Sequence, residues 1–348
     1  MSEPAVFCEK KERILIMNQE VSIEQLFSVF DESAVLLGHA LSITYLEALG
    51  ETAENLFHGY VMQEELNDVD EKRLQKLYDN VNLERYSYSK ELIRKSYQLA
   101  ILKGMKEHVQ PNHQMTPDSI GIFISYLMRK SNGSKRTFTL LDPAVGTGNL
   151  VMTVLNEFDE MVEAHGIDLD DVLLKLAYAG ANLLQHPITL HNQDALEPLL
   201  IDPVDVVVCD LPIGYYPNDV RAAAYRLKAD NGHSYAHHLF IEQSLNHIKP
   251  GGQLFFIIPN GLFESAEAKK LQSFLTEEAY IEGVIQLPES LFKNKQAAKS
   301  ILMMRKKAPG VKKPKEVLLA SMPSLTDKKA IANIMQKIDR WFSAQQKG

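Results

Sequence analysis

Between Thr137 and Lys306, short apolar runs alternate with helical segments, and this alternation limits the fold more than any other feature of the chain. The runs are TFTLLD, HGID, ITLHN, DVVVCD, QLFFIIP, EGVIQL and SILMMRK. Runs interleaved with helices build a doubly wound α/β sheet covered by helices on both faces. The near-continuous apolar character of DVVVCD and QLFFIIP fits strands buried on both sides. The last two runs are joined by a segment with little helical signal, which allows one antiparallel strand at an edge. A mostly parallel, seven-stranded sheet is therefore expected.

The residues before it have a different character. From Ile14 to Glu71 there is no Lys or Arg, while twelve acids lie between Glu20 and Glu71. Apolar residues recur there at helical spacing, as in SIEQLFSVFDESAVLLGHALSITYLEALG. Such a surface repels a phosphate backbone. It reads either as a solvated acidic face or as a surface for a protein partner or self-association. A second helical stretch, KRLQKLYDNVNLERYSYSKELIRKSYQLAILKGMKE, runs to a connector at Gly104 and 108–113. In MTPDSIGIFISYLM, Thr116 suits an N-cap and Pro117 the first helical position. Ile120, Phe123, Ile124 and Leu127 make one apolar face.

The expected division is a helical domain over 1–110, the α/β domain over 111–310, and a basic linker with a closing helix over 311–348. RKKAPGVKKPKE, with six basic residues and one acid, reads as a surface linker or as a phosphate-contacting strip. A net charge of −8 and a pI near 5.8 exclude a globally basic nucleic-acid binder. No apolar stretch approaches the roughly 18 residues that span a bilayer. MSEPAVFCEKKER lacks the apolar region of a secretory signal. Cys8 and Cys209 form no disulfide framework. A cytoplasmic protein with no membrane association is expected.

The most informative segment is LLDPAVGTGNL, Leu140–Leu150. It reads as strand, Asp142, a turn with Gly146 and Gly148, then helix. Glycines there let the backbone approach a ligand, and the helix N-terminus adds N–H donors. Val151 stands where the dinucleotide fingerprint requires its third glycine, which weakens a nicotinamide or flavin reading. Asp168 ends the second run, where a carboxylate can accept both ribose hydroxyls. Asp170 and Asp171 read as helix-start residues. Asp194 follows the third run and is placed to receive an adenine amino group. Three acids at successive strand ends point to a nucleotide crevice.

With Asp210-Leu211-Pro212-Ile213 after the fourth run, the ordered set resembles the class I S-adenosylmethionine-dependent methyltransferases, a Rossmann-like fold. The nearest likeness is to adenine-N6 DNA methyltransferases and type I restriction-system modification subunits. It extends from about Gln114 to Lys307. QMTP resembles the entry motif lining the methionine end of the cofactor, DPAVGTG the DPACGSG loop, GID the ribose motif and QDAL the adenine-contacting motif. KPGGQLFFIIPNGLF resembles a later strand, and EGVIQLPESLF with SILMMRKK the closing hairpin.

The resemblance implies S-adenosyl-L-methionine as cofactor. It places Met115, Thr116, Pro117, Asp142, Pro143, Ala144, Gly146, Thr147, Gly148, Asn149, Asp168, Leu169, Asp194, Ala195 and Asp210 around it. It implies DNA adenine as acceptor. Asp210 and the carbonyl of Leu211 would accept the two N–H bonds of the amine and localise its lone pair for in-line attack, with no metal. Positioning and electrostatics carry such chemistry.

Two residues depart from the family pattern of Asp or Asn, Pro, Pro, aromatic. Leu211 replaces the first proline and loses its rigidity. Ile213 replaces the ring that stacks on an extruded base. Tyr215 or Tyr216 could supply that ring, or could pack the loop. The residues after the resemblance are too few for a sequence-reading domain, so specificity would come from a partner or from the loop Tyr215–Ser234, expected as a mobile cover, or would be low. An RNA or protein-amide methyltransferase and a catalytically inactive cofactor-binding module remain as alternatives. His233, His237 and His238 lack the companions of a zinc site. Cys209, on an apolar strand, reads as a core residue.

Overall fold

A computed structural model describes residues 22–83, 88–107, 115–132, 137–158 and 162–346. Cys8, Glu20 and Gln114 lie outside the described residues.

Four helices come first: α1 (Ile23–Leu41), α2 (Tyr45–His58), α3 (Asp68–Val81) and α4 (Lys90–Glu107). Capping boxes open the first two. The Ser22 hydroxyl accepts from Gln25 N and the Thr44 hydroxyl from Glu47 N, and each third residue returns a bond to the cap N–H. Ser33, Thr52, Asn55 and Tyr78 form a buried hydroxyl–amide cluster joining α1, α2 and α3.

The α/β part follows as α5 (Asp118–Asn132), β1 (Phe138–Asp142), α6 (Asn149–Asn156), β2 (Val162–Asp168), α7 (Asp171–Leu184), β3 (Ile188–Asn192), β4 (Val204–Asp210), α8 (Asp219–Ala222), α9 (Ala236–Asn246), β5 (Ile248–Pro259), α10 (Ala268–Glu278), β6 (Ala279–Gln286), β7 (Lys299–Lys306), β8 (Leu318–Ser321) and α11 (Lys328–Gln346). All seven expected runs are strands. The order across the sheet is β3-β2-β1-β4-β5-β7-β6-β8.

Two expectations are corrected. The sheet has eight strands, because the chain beyond the basic segment returns as β8, parallel to β6. The antiparallel strand is not at an edge: β7 lies between β5 and β6 and pairs antiparallel with both. The α10 crossover carries the chain past one strand width, and β7 fills the gap.

One hydrophobic core covers each face of the sheet. The first is continuous from α1–α4 through α5, α6 and α7 to the strands, so the N-terminal helices form an added layer on that face. The second packs α9 and α10 under the opposite face. Ile120, Phe123, Ile124 and Leu127 are buried in the first core, as their spacing indicates. Some of the N-terminal acids have internal partners: Glu51 pairs with Lys175 of α7 and Asp31 with Lys103. No single helix among the described residues is long and apolar enough to cross a membrane.

Candidate active site

The carboxyl ends of β2, β1 and β4 lie side by side and carry Asp168, Asp142 and Asp210. This is the ligand-binding end of an open α/β sheet. The loop after β1 is tied to β2 by Val145 N–H donating to Ile167 O at 2.9 Å. Gly146 takes φ +53° and a Cβ built on it would meet no atom within 4 Å, so its backbone borders open space. Gly148 takes φ +79° for another reason. A Cβ there would lie 2.7 Å from Met152 Cε and 3.2 Å from Ala177 Cβ, so glycine permits close helix packing.

Asp168 accepts Gly146 N–H at 2.7 Å on one oxygen and Asp170 N–H at 2.9 Å on the other. An ionised carboxylate has about four lone-pair sites, so two remain for ligand hydroxyls. Leu169 beside it is 70% exposed. Asp170 caps α7, accepting from Val172 and Leu173 N–H groups, as its position indicated.

Asp142 is buried and accepts Ala144 N–H at 3.1 Å. Burial pushes its carboxyl up to about 7, against the opposing pull of that N–H. Because the folded value lies above the unfolded one, Asp142 favours the fold at low pH. That contribution falls as pH rises through 7. A fixed positive charge bound nearby would favour the ionised form. Affinity for a sulfonium ligand is therefore expected to rise between about pH 5.5 and about pH 7, by up to about tenfold per unit. Titration of Asp142→Asn should give a flat profile; an unchanged slope would remove Asp142 from the site.

Asp210 ends β4, and its two oxygens are held differently. Lys299 Nζ, from the first residue of β7, sits 2.6 Å from Oδ1. The Thr116 hydroxyl donates to Oδ2 at 3.0 Å. Thr116 is thus a partner of Asp210 rather than the expected helix cap, and α5 begins after Pro117, whose carbonyl accepts from Ile120 N–H. Behind Thr116, Asn149 donates to its carbonyl at 2.9 Å, and Arg94 of α4 donates to Asn149 Oδ1 at 2.9 Å. Arg94 also binds Glu91 and Asp118, each through two bonds. A relay from the N-terminal helices therefore braces the wall beside Asp210.

The segment after Asp210 is rigid where proline is missing. Leu211 donates its N–H to Ile257 O at 3.1 Å, a bond proline could not make, and is buried. Ile213 is about half exposed. The two tyrosines separate. Tyr216 is buried, its hydroxyl donating to Asp194 Oδ2 at 2.6 Å. Tyr215 is exposed and stacks on Tyr235 with ring centroids 5.1 Å apart. Of the two, it is Tyr215 that has an exposed ring, with one face against Tyr235. Asp194 also accepts Leu196 N–H at 2.9 Å, so both its oxygens are engaged within the protein. Ala195 is buried and its carbonyl accepts from Gln243.

The loop Tyr215–Ser234 is strapped down rather than loose. Arg221 pairs with Glu197, Arg226 with Glu277 and Glu278, Lys270 with Asp230, and Tyr225 donates to Leu196 O. His237 and His238 are buried in α9, and burial pushes both down to about 4. Among the described residues no group of three His, Cys, Asp or Glu side chains is placed to hold a metal. Cys209 is fully buried, its thiol pushed well up by that burial.

Lys299 and Arg94 are the residues sequence reading missed. Lys299 precedes an apolar run and reads as solvated; Arg94 sits in a strongly charged helix. Neither has a local signal: Lys299 and Asp210 lie on strands separated by β5, so it is the folded sheet that brings them together.

The fold and this row of acids define a Rossmann-like methyltransferase. The chain belongs to the N-6 DNA methylase family, whose model matches residues 106–345, while the model of a YtxK N-terminal helical domain matches residues 24–105. Protein YtxK of Bacillus subtilis (strain 168) is 49% identical over 329 residues, covering 94% of this chain and 99% of its own. A crystal structure from Listeria monocytogenes, of a protein assigned to the class I S-adenosylmethionine-dependent methyltransferases, superposes with TM-score 0.86 at 48% identity. It covers 92% of this chain and 98% of that one. A type I modification subunit from Vibrio vulnificus YJ016 shares the fold at TM-score 0.61 and 16% identity, over 84% of this chain and 65% of that one. S-adenosylmethionine is the expected cofactor.

Proposed function

We propose that the chain transfers a methyl group from S-adenosylmethionine to the exocyclic N6 amine of adenine in DNA, with a partner supplying sequence specificity. The observation that carries this reading is the row of Asp168, the Gly146 loop and Asp210 at neighbouring strand ends. When bound, the cofactor supplies an electrophilic methyl on a sulfonium. The open side of Gly146 admits the nucleoside, and Asp168 accepts its ribose hydroxyls. Exposed Leu169 covers a purine face, and Asp142 faces the positive end. Met115, Thr116 and Asn149 line the methionine end. Asp210 and the Leu211 carbonyl accept the two N–H groups of the amine. Held so, the nitrogen lone pair would be directed at the methyl group the cofactor supplies, and the amine proton would pass to water. Tyr215 offers the stacking ring that Ile213 lacks. The reading places the reaction in the cytoplasm, on residues 111–310, with the acidic helices of residues 1–110 as the surface for a partner or second copy.

For the cofactor pocket, Asp168→Ala and Gly146→Val are each expected to weaken S-adenosylmethionine binding by at least about tenfold, or ~1.4 kcal/mol. The valine carries a β-branched side chain at positive φ into the open space beside the loop. Calorimetric titration checks both, with thermal melting as the control for folding. Unchanged affinity in both would displace the pocket.

One observation favours a second reading. Lys299 already occupies an oxygen of Asp210, so a cofactor-binding module without transfer fits the same geometry. Tritiated cofactor added to extract from cells lacking the protein separates the readings. Label lost only with DNase supports the DNA reading; label lost with RNase or protease moves the acceptor to RNA or a protein amide. No label with cofactor bound supports the module.

A further inference from the structure

The basic segment singled out in the sequence does not fan into solvent. Trp341 of α11 donates its indole N–H to Glu316 O at 2.8 Å, and Lys315 N–H donates to Gln345 Oε1 at 3.0 Å. These bonds fix residues 311–316 against α11, leaving a cavity of about 270 Å³ between them and the end of β7. Five cations line it: Lys130, Arg305, Lys312, Lys313 and Lys315. One carboxylate, Glu282, accompanies them and is bound to Arg305 at 2.5 Å. Lys130 pairs with Asp339 outside the lining, while no side chain of opposite charge pairs with Lys313 or Lys315 among the described residues. The partly exposed Trp341 ring forms the remaining wall.

This cavity is remote from the candidate active site. Arg305 pairs with Gln253 at one end of β5, and Lys299 pairs with Pro259 at the other. Six residues of strand, about 20 Å, separate the two ends. A cofactor or a single nucleoside held at Asp210 does not reach it.

We propose that this cavity is a second site, which binds a nucleoside phosphate. The ligand is either a free nucleotide or one unit of a single strand. The phosphate lies on Lys313 and Lys315, and the base lies against Trp341. Cations gathered on a concave surface match a compact anion, and an aromatic wall adds base stacking. The volume suits one nucleotide and is too small for a duplex. The inference does not depend on the methyltransferase reading.

Trp341 is the sole tryptophan of the chain, so its fluorescence reports on this cavity alone. AMP and a 20-nucleotide single strand are titrated separately into the full chain, with inorganic phosphate as a third probe. Quenching by AMP identifies a free-nucleotide site; quenching by the strand alone identifies a strand site. In either case Lys313→Glu/Lys315→Glu should weaken binding at least tenfold, and for the strand should lower the salt slope by about 1.4. Both substitutions are in a surface loop, and Asp168→Ala, in the other pocket, should leave the quenching intact. No quenching by AMP or strand, quenching untouched by the charge reversal, or phosphate matching AMP in affinity would overturn the proposal.

Discussion

Asp210→Ala is expected to reduce methyl transfer by about 10³-fold or more, ~4 kcal/mol of transition-state stabilisation, while S-adenosylmethionine affinity stays within about threefold. The carboxylate stands at the end of β4, between Thr116 and Lys299, and is the side-chain acceptor nearest the Leu211 turn. Removing it leaves the amine with one acceptor and its lone pair still delocalised into the ring. Asp210→Asn keeps an acceptor oxygen and should retain part of the rate. Lys299 makes the companion experiment. Transfer builds positive charge on the acceptor nitrogen, and an ammonium about 5 Å away opposes it by roughly 3 kcal/mol at an effective dielectric of 20. Lys299→Met should therefore raise transfer by at least about tenfold. A rate at or below wild type would make Lys299 a positioning residue that holds Asp210.

The second large effect is on stability. Arg94 is buried, yet it carries a charge among Glu91, Asp118 and Asn149. Burial alone would raise the Asp118 carboxyl; the hydrogen bonds and charge of Arg94 outweigh it and hold the group below the usual range. Glu91 behaves alike. Arg94→Met strands both carboxylates and the Asn149 oxygen, and is expected to cost about 3–5 kcal/mol of unfolding free energy. Depressed carboxylates contribute stability above their unfolded values near 4 and lose it as pH falls through the folded ones. The variant should therefore show a flatter acid limb as well as a lower plateau. Denaturant titration across pH checks both; a loss below about 1 kcal/mol would mean the cluster is dispensable. Arg94→Met/Asp118→Leu should recover part of the loss.

The strand runs and the row of strand-end acids were legible because both follow from short-range pattern: apolar runs of strand length, then a carboxylate where the chain turns. β8 was not. LLAS is four residues long and follows a Lys- and Pro-rich segment, so nothing local marks it as a strand. The interior place of β7 depends on pairing across the sheet, which no run of residues encodes by itself. Thr116 reads as a cap on local grounds, and only the approach of β4 gives its hydroxyl another use. The loop Tyr215–Ser234 looks mobile because the carboxylates that bind Arg226 lie about fifty residues away in the chain. Leu211 looked like a loss of rigidity, yet its N–H extends the β4–β5 ladder by one bond.

The role of Asp210 as acceptor for an adenine amine is what methyl transfer to DNA stands on. Its most direct test is incubation of purified protein with adenine-containing DNA and S-adenosylmethionine. Enzymatic digestion and mass spectrometry of the nucleosides then follow. Wild type should yield N6-methyladenine, Lys299→Met more of it, and Asp210→Ala none above background. N6-methyladenine at equal yield from wild type and Asp210→Ala, or none from wild type and Lys299→Met with cofactor bound, would contradict it.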